Sequence, residues 1–467
     1  MTDALTLFCA EQAWVNGAWA RDVLLGVDAH GAWCKVQAEA PASARAGATA
    51  LAGPVLPGLV NAHSHAFQRA IAGLTERRGE QGGPPGAASD DFWSWRDRMY
   101  AAALRITPEQ LERIAALLYS ELLAAGYTQV CEFHYLHGAV AGQALADPLD
   151  MSMALVRAAQ RVGMGLTLLP TLYMRAGFGA AGLREDQQRF ASTPDSILRL
   201  VVDLQTQTSA MANVNIGVAL HSLRAADGGA IAEVAVFANT RQLPVHIHIA
   251  EQTQEVQDCI AHTGQRPIEW LLAHIPVDRR WNLVHATHTT PAELQGVQQA
   301  GASIVICPST EANLGDGVFD YGAYARLGGN WSIGSDSHIT RCWSEELRLL
   351  EYSQRLTLRQ RNVAARQGRS TSTAANLFEA ALAGGSTATS LALGTIEVGN
   401  RADFMVLDDQ APALLGVPPD HLLDALVFSS PDAQPKQVFV AGRPTGVSPQ
   451  PNLANDFAQT MRQLWWP

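Results

Sequence analysis

Between about residue 56 and residue 384 the chain alternates short apolar runs with longer helix-like ones, and this rhythm limits the fold more than any other feature. The apolar runs are Leu56–Asn61, Thr128–Phe133, Leu166–Leu172, Asn215–Leu220, Pro244–Ile249, Trp281–Val284, Ser303–Cys307 and Trp331–Gly334. Between them lie helical patterns such as Pro108–Ala124, Asp150–Val162, Ser196–Met211 and Thr253–His262. Eight strands alternating with helices predict an α/β fold, a parallel (β/α)8 TIM-type barrel. A doubly wound open sheet ranks second, because eight strands at this spacing close naturally on themselves.

The flanks read differently. Residues 1–55 and 385–450 carry short strand-like runs, among them Leu5–Phe8, Val23–Val27, Gly31–Val36, Gly394–Gly399, Ala402–Leu407 and Gln437–Gly442. Neither end suffices for a core alone, so the two are expected to pair into one small β-sandwich domain. Residues 451–467 form a closing piece with a helix over Asn455–Trp465. Thr75–Asp90 is rich in Gly, Pro and charge and reads as a long loop after the first strand.

In a barrel of this kind chemistry sits where strands end. The first strand runs into Asn61-Ala62-His63-Ser64-His65. Side chains at i and i+2 share a strand face, so His63 and His65 can aim both imidazoles at one divalent metal. The fifth strand supplies His246-Ile247-His248-Ile249-Ala250-Glu251, the sixth ends in His285, and the eighth runs into Asp336. A single strand-end histidine is more often a hydrogen-bonded core group than a ligand. Four coinciding ends favour a metal centre over that bland reading. His246 and His248 share a face, so spacing alone does not choose between them.

This set resembles the amidohydrolase superfamily, and within it the mononuclear deaminase branch. The resemblance implies metal ligands His63, His65, His248 and Asp336, since the family's Glu lies three residues after its strand-five ligand. Glu251, His285 and Asp336 would then be the catalytic groups. Family members with two metals bridge them with a modified lysine. The only lysines here are Lys35 and Lys436, outside the barrel, so one ion per subunit is expected. Zn2+ is the expected cofactor, although the same ligands accept Fe2+ or Mn2+. Zinc lowers the pKa of bound water to about 7. Asp336 would then take a proton, Glu251 protonate a leaving nitrogen and His285 stabilise charge at the attacked carbon. The reaction expected is hydrolytic deamination.

Arginines dominate the positive charge. The fourth strand leads into His221-Ser222-Leu223-Arg224, and Phe92-Trp93-Ser94-Trp95-Arg96 follows the loop. Arginine grips carboxylates by a planar two-pronged contact, so a pocket with two of them suits a small dicarboxylate. Together with Phe67-Gln68-Arg69, Cys131-Glu132-Phe133-His134-Tyr135 and His248-Ile249-Ala250-Glu251-Gln252, these segments are similar to the formimidoylglutamate deiminases of bacterial histidine degradation. That resemblance implies conversion of N-formimino-L-glutamate to N-formyl-L-glutamate and ammonia. It implies that Arg224 and Arg96 hold the carboxylates, with Gln68, Tyr135 and His221 completing the pocket. Packing of Arg96 against Trp93 and Trp95 is the competing reading, and Gln68 and Tyr135 also fit as support residues. His134 and His137 take no role. The Gly82–Gly86 stretch looks like an insertion atypical of the family.

The remaining bounds are broad. A net charge of −11 argues against a nucleic-acid partner. Six scattered cysteines without a CxxC pair, no signal-like start and no long apolar run point to a cytoplasmic protein with no membrane partner. A homodimer is expected, as is common in such families. Rival readings are a deaminase of guanine, an adenosine derivative or a triazine, and an inactive barrel serving as an assembly subunit.

Overall fold

The computed structural model describes residues 5–77, 91–141, 144–366, 370–429, 433–446 and 451–466. The alternating segment forms eight parallel barrel strands: β1 (Leu59–Ser64), β2 (Tyr127–His134), β3 (Gly165–Leu172), β4 (Val218–Ser222), β5 (Val245–Ile249), β6 (Trp281–His285), β7 (Ser303–Ile306) and β8 (Asn330–Ile333). They pair in chain order from β1 to β8. The ring closes where Ser64 bridges Asp336 in parallel, so the open-sheet alternative is not adopted. Asn61 secures this seam: its amide donates to Ser335 Oγ (2.7 Å) and its oxygen accepts from Ser335 N (2.9 Å). Gly334 is required there, because a Cβ would stand 2.6 Å from His63 Cβ. The fold thereby ties the His63 and Asp336 tips together.

Most expected elements form where the apolar pattern places them, with instructive exceptions. The helix expected over Ser196–Met211 spans Pro194–Gln207, because Thr193 caps it in a capping box with Ser196 and Pro194 takes its first turn. The fourth strand is split. Val214–Ile216 pairs with Leu166–Leu168, whereas β4 proper pairs with Thr171 and Leu172. Between the pieces, a Cβ on Gly217 would meet Leu169 at 2.6 Å and the Pro244 carbonyl at 2.8 Å. The helix Thr373–Thr389 reaches the barrel interior, where the Ala388 carbonyl accepts a hydrogen bond from His246 Nε2 (2.8 Å).

Both chain ends enter one eight-stranded sheet, a shared terminal domain where a β-sandwich was expected. Phe404–Leu407, from the C-terminal side, lies between Val55–Pro57 and Pro435–Val440. This sheet keeps its own small core of Phe8, Val23, Leu25, Trp33, Phe404 and Phe439. Gly394–Gly399 is not a strand. Gly394 and Gly399 both have positive φ (79° and 95°) and turn the chain, while Ile396 still reaches that core. The closing helix runs over Pro451–Trp465. Among the described residues no helix is long and apolar enough to cross a membrane. The Gly82–Gly86 stretch lies outside the described residues.

Candidate metal centre and active site

Three strand tips deliver the cation end of the site. From β1, His63 and His65 converge with Asp336, which follows β8; each Nε2 stands 3.4 Å from Asp336 Oδ1. From β5, His248 Nε2 lies 3.0 Å from His63 Nε2. Ligand atoms about 2.05 Å from a tetrahedral ion stand ~3.3 Å apart, so His63, His65 and Asp336 are spaced for one divalent cation, and His248 adjoins that set through His63, grouped with His63 and His285. The donor chemistry fits as well. His65 Nδ1 donates to the Phe133 carbonyl (2.8 Å) and His248 Nδ1 to the His221 carbonyl (2.9 Å), which leaves each Nε2 lone pair for the ion. Burial, then neighbouring imidazoles, holds His63 and His248 well below the ordinary histidine value, so both are neutral donors.

His246 and His248, which spacing left open, differ in depth in the barrel. His246 lies one layer below His248 and spends its Nε2 on the Ala388 carbonyl. His248 sits at the tip and joins the cluster.

Beside these candidate ligands lie two groups suited to proton transfer. Glu251 is 5% exposed, and burial pushes its carboxyl up to about 7 against the pull of His285 and Arg224. Its Oε1 is 3.7 Å from His285 Nε2, which in turn is 3.8 Å from Asp336 Oδ2. Burial alone would lower His285, but Glu251, Glu311 and Asp336 outweigh it and raise it to about 10. Glu311 Oε1 accepts from His285 Nδ1 at 3.2 Å and fixes that ring. The backbone here is strained: Ala250, His285, Ala286 and Asp336 all adopt positive φ, between 46° and 69°. Side chains are held off the regular strand direction, toward the centre.

The other end of the pocket is cationic. Arg224, 7% exposed, stands 3.8 Å from Glu251 Oε2 and leaves its buried Nε without a hydrogen bond. Arg96 lies on the helix Phe92–Ala103, not in a loop, because Asp91 caps that helix in a capping box with Ser94. Its guanidinium stacks on Trp93 (4.4 Å) and on Tyr100 (5.6 Å), while Arg224 also lies over Trp93 (5.7 Å). The packing reading of Arg96 is therefore met through Trp93 and Tyr100, with no such stacking on Trp95. It still leaves Nε buried and unbonded. Both charges act on His221, which burial and then Arg224 hold well below the usual value.

Gln68 follows the β1 ligands on the short turn Ala66–Ala70 and donates to Tyr135 Oη at 3.2 Å. Its amide oxygen is buried without a partner. Tyr135 packs its ring on His65 (5.0 Å) and His221 (5.4 Å). Apart from His246, the candidate site residues are thus linked by contacts at the strand-tip end of the barrel. Three further neighbours were not foreseen: Glu311, Asp316 and Trp93. Glu311 and Asp316 follow β7, whose tip carries no histidine, so nothing in the local pattern marks them. Trp93 was noticed only as packing for Arg96.

Residues 55–445 match the model described as the amidohydrolase family. The chain is 46% identical over 434 residues to a formimidoylglutamate deiminase of Pseudomonas aeruginosa, covering 93% of each chain. A crystal structure of an amidohydrolase from Brucella melitensis superposes with a TM-score of 0.89 at 40% identity, covering 98% of this chain and 99% of that one. An adenosine deaminase from Xanthomonas campestris with bound zinc shares the fold, with a TM-score of 0.80 at 23% identity and 98% coverage of both chains. A closed barrel, a clustered His/Asp set at its strand tips and likeness along nearly the whole length converge on one result: this chain belongs to the amidohydrolase family, whose members are metal-dependent.

Proposed function

We propose that this chain is a hydrolase of C–N bonds that deaminates N-formimino-L-glutamate to N-formyl-L-glutamate and ammonia, as a step of histidine breakdown. The observation that carries the reading is the 46% identity, over 93% of both chains, to a protein named for this activity. The arginine pair at the mouth supports it, since a substrate with two carboxylates suits two guanidiniums.

His63, His65, His248 and Asp336 would hold the cation, with zinc the expected ion. When bound, a divalent ion supplies Lewis acidity, lowering the pKa of a water from 15.7 to about 7. Asp336 is positioned to accept the proton given up as that water adds to the amidine carbon. His285, fixed by Glu311, faces the same point and stabilises charge developing there. Glu251, with a carboxyl raised to about 7, carries a transferable proton at neutral pH and delivers it to the terminal nitrogen, which leaves as ammonia. The Gln68 amide oxygen offers an acceptor for an amidine N–H. Arg224 and Arg96 hold the carboxylates, and His221 and Tyr135 wall the space between the two ends.

Ammonia release measured with N-formimino-L-glutamate beside guanine tests the reading. Turnover of the linear amidine with none on guanine is expected. Turnover of guanine alone would transfer the protein to another substrate of the same chemistry.

A further inference from the structure

The carboxylate of Asp316 has no role in the chemistry above, yet it is buried against it. It lies on the segment after β7, is 4% exposed, and leaves its Oδ2 without a hydrogen-bond partner. Its Oδ1 accepts from Gln252 Nε2. Glu251, His285 and Asp316 each offer one ligand atom within 4.8 Å of the other two, and all three are buried. Glu311 occupies Nδ1 of His285, so Nε2 is the nitrogen facing this trio. We propose that Glu251, His285 and Asp316 form a second divalent-cation site, weaker than the first, whose filling silences the enzyme.

The chemistry of the set favours zinc-like ions. One imidazole and two carboxylates match the mixed N/O donors that such ions take, with a position left open. The negative charge is under-compensated: burial, then Glu251, pushes the Asp316 carboxyl up to about 9. A cation relieves that repulsion. Atoms sharing a tetrahedral ion stand ~3.3 Å apart, so an ion would draw this trio inward. Two ions at neighbouring positions occur in many hydrolases, but each weakens the other by repulsion. The lysine that bridges ions in two-metal relatives has no counterpart in this barrel. The second ion therefore binds less tightly. By displacing the protons from His285 Nε2 and the Glu251 carboxyl to solvent and binding both groups, it removes the proton donor and the charge-stabilising ring together.

Zinc binding is read without substrate, so this inference and the substrate assignment fail independently. Protein carrying one zinc per chain is dialysed against rising Zn2+, and bound metal and ammonia release are followed together. A further equivalent should bind at least tenfold more weakly than the first, and activity should fall in step with it. Asp316→Asn should keep the first ion, lose that equivalent and resist excess zinc. Exposed imidazoles such as His30 and His274 also take zinc, but equivalents bound there survive the substitution. The proposal is overturned if wild-type protein stays at one equivalent, or if Asp316→Asn binds and is inhibited unchanged. Should that variant not fold, Co2+ titration of the wild type decides. A second equivalent must perturb the visible spectrum of the one-cobalt protein, and an unperturbed spectrum overturns the site.

Discussion

The two ends of the pocket are built by different means. At the proposed cation end His63, His65, His248, His285 and Asp336 come from strand tips or up to three residues beyond, held by main-chain ladders on either side. At the proposed carboxylate end Arg96 rides on a helix and Arg224 on a turn after β4; Arg96 stacks on Trp93 and Tyr100, and Arg224 lies over Trp93 while facing Glu251 and Glu255. A strand tip fixes a ligand atom through backbone hydrogen bonds that no single side chain can undo. A stacked arginine keeps rotational freedom and adjusts to what it binds. On the proposed roles, the contrast separates bond-breaking from recognition: the first demands fixed geometry, the second tolerates adjustment.

Substitutions at the two ends should therefore fail in different ways. The largest effect is expected from Asp336→Ala or His248→Ala, which remove one of four ligands. Metal content per chain should fall and ammonia release drop by about 10⁴-fold or more. His246→Gln, two residues away on the same strand face, should keep its metal. Equal metal loss at positions 246 and 248 would break the assignment of the ligand by depth in the barrel. Next comes Glu251→Gln, which should retain the ion and lose about 10²–10⁴-fold in kcat, the usual contribution of a general acid–base group. Near-normal turnover would remove Glu251 from the proton path. At the carboxylate end Arg224→Lys should leave metal content intact and lower kcat/KM for the dicarboxylate by about 10–100-fold, because an ammonium cannot reproduce the planar two-pronged contact. An unchanged ratio would place the carboxylate grip elsewhere.

The same divide explains what could be read from the sequence. A two-residue period on a strand is a strong local signal, so His63-x-His65 and the strand-five pair announced themselves before any fold was known. His285 and Asp336 were legible because barrel strands end where apolar runs end. Arg96 and Arg224 carried no such period; arginine chemistry and, for Arg224, its place after the fourth strand marked them, and family likeness gave them the carboxylates. Glu311 was invisible for a third reason: it sits in the helix Pro308–Leu314, where a carboxylate ordinarily faces water, and only the fold brings it to His285. The break at Gly217 and the turn at Gly394–Gly399 depend on close approach from distant segments, which local composition does not report.

The smallest expected effect sharpens the comparison most, because it asks whether the carboxylate end has a scaffold of its own. Arg175 donates from Nε to the Arg224 carbonyl (3.1 Å) and from Nη2 to those of Leu223 and Ala226 (both 3.0 Å). One guanidinium thus clamps three carbonyls of the turn that carries Arg224, a substitute for the ladder that strand tips enjoy. Lysine in its place has no planar fork and cannot satisfy all three acceptors in that geometry. The loss of one or two hydrogen bonds of ~1 kcal/mol, at a half-exposed position, would loosen the turn without unfolding it. Arg175→Lys should raise KM about three- to tenfold while kcat and metal content hold. A fall in kcat with KM unchanged would mean that the turn after β4 serves the reacting end instead, and that the division between fixed chemistry and adjustable recognition is drawn in the wrong place.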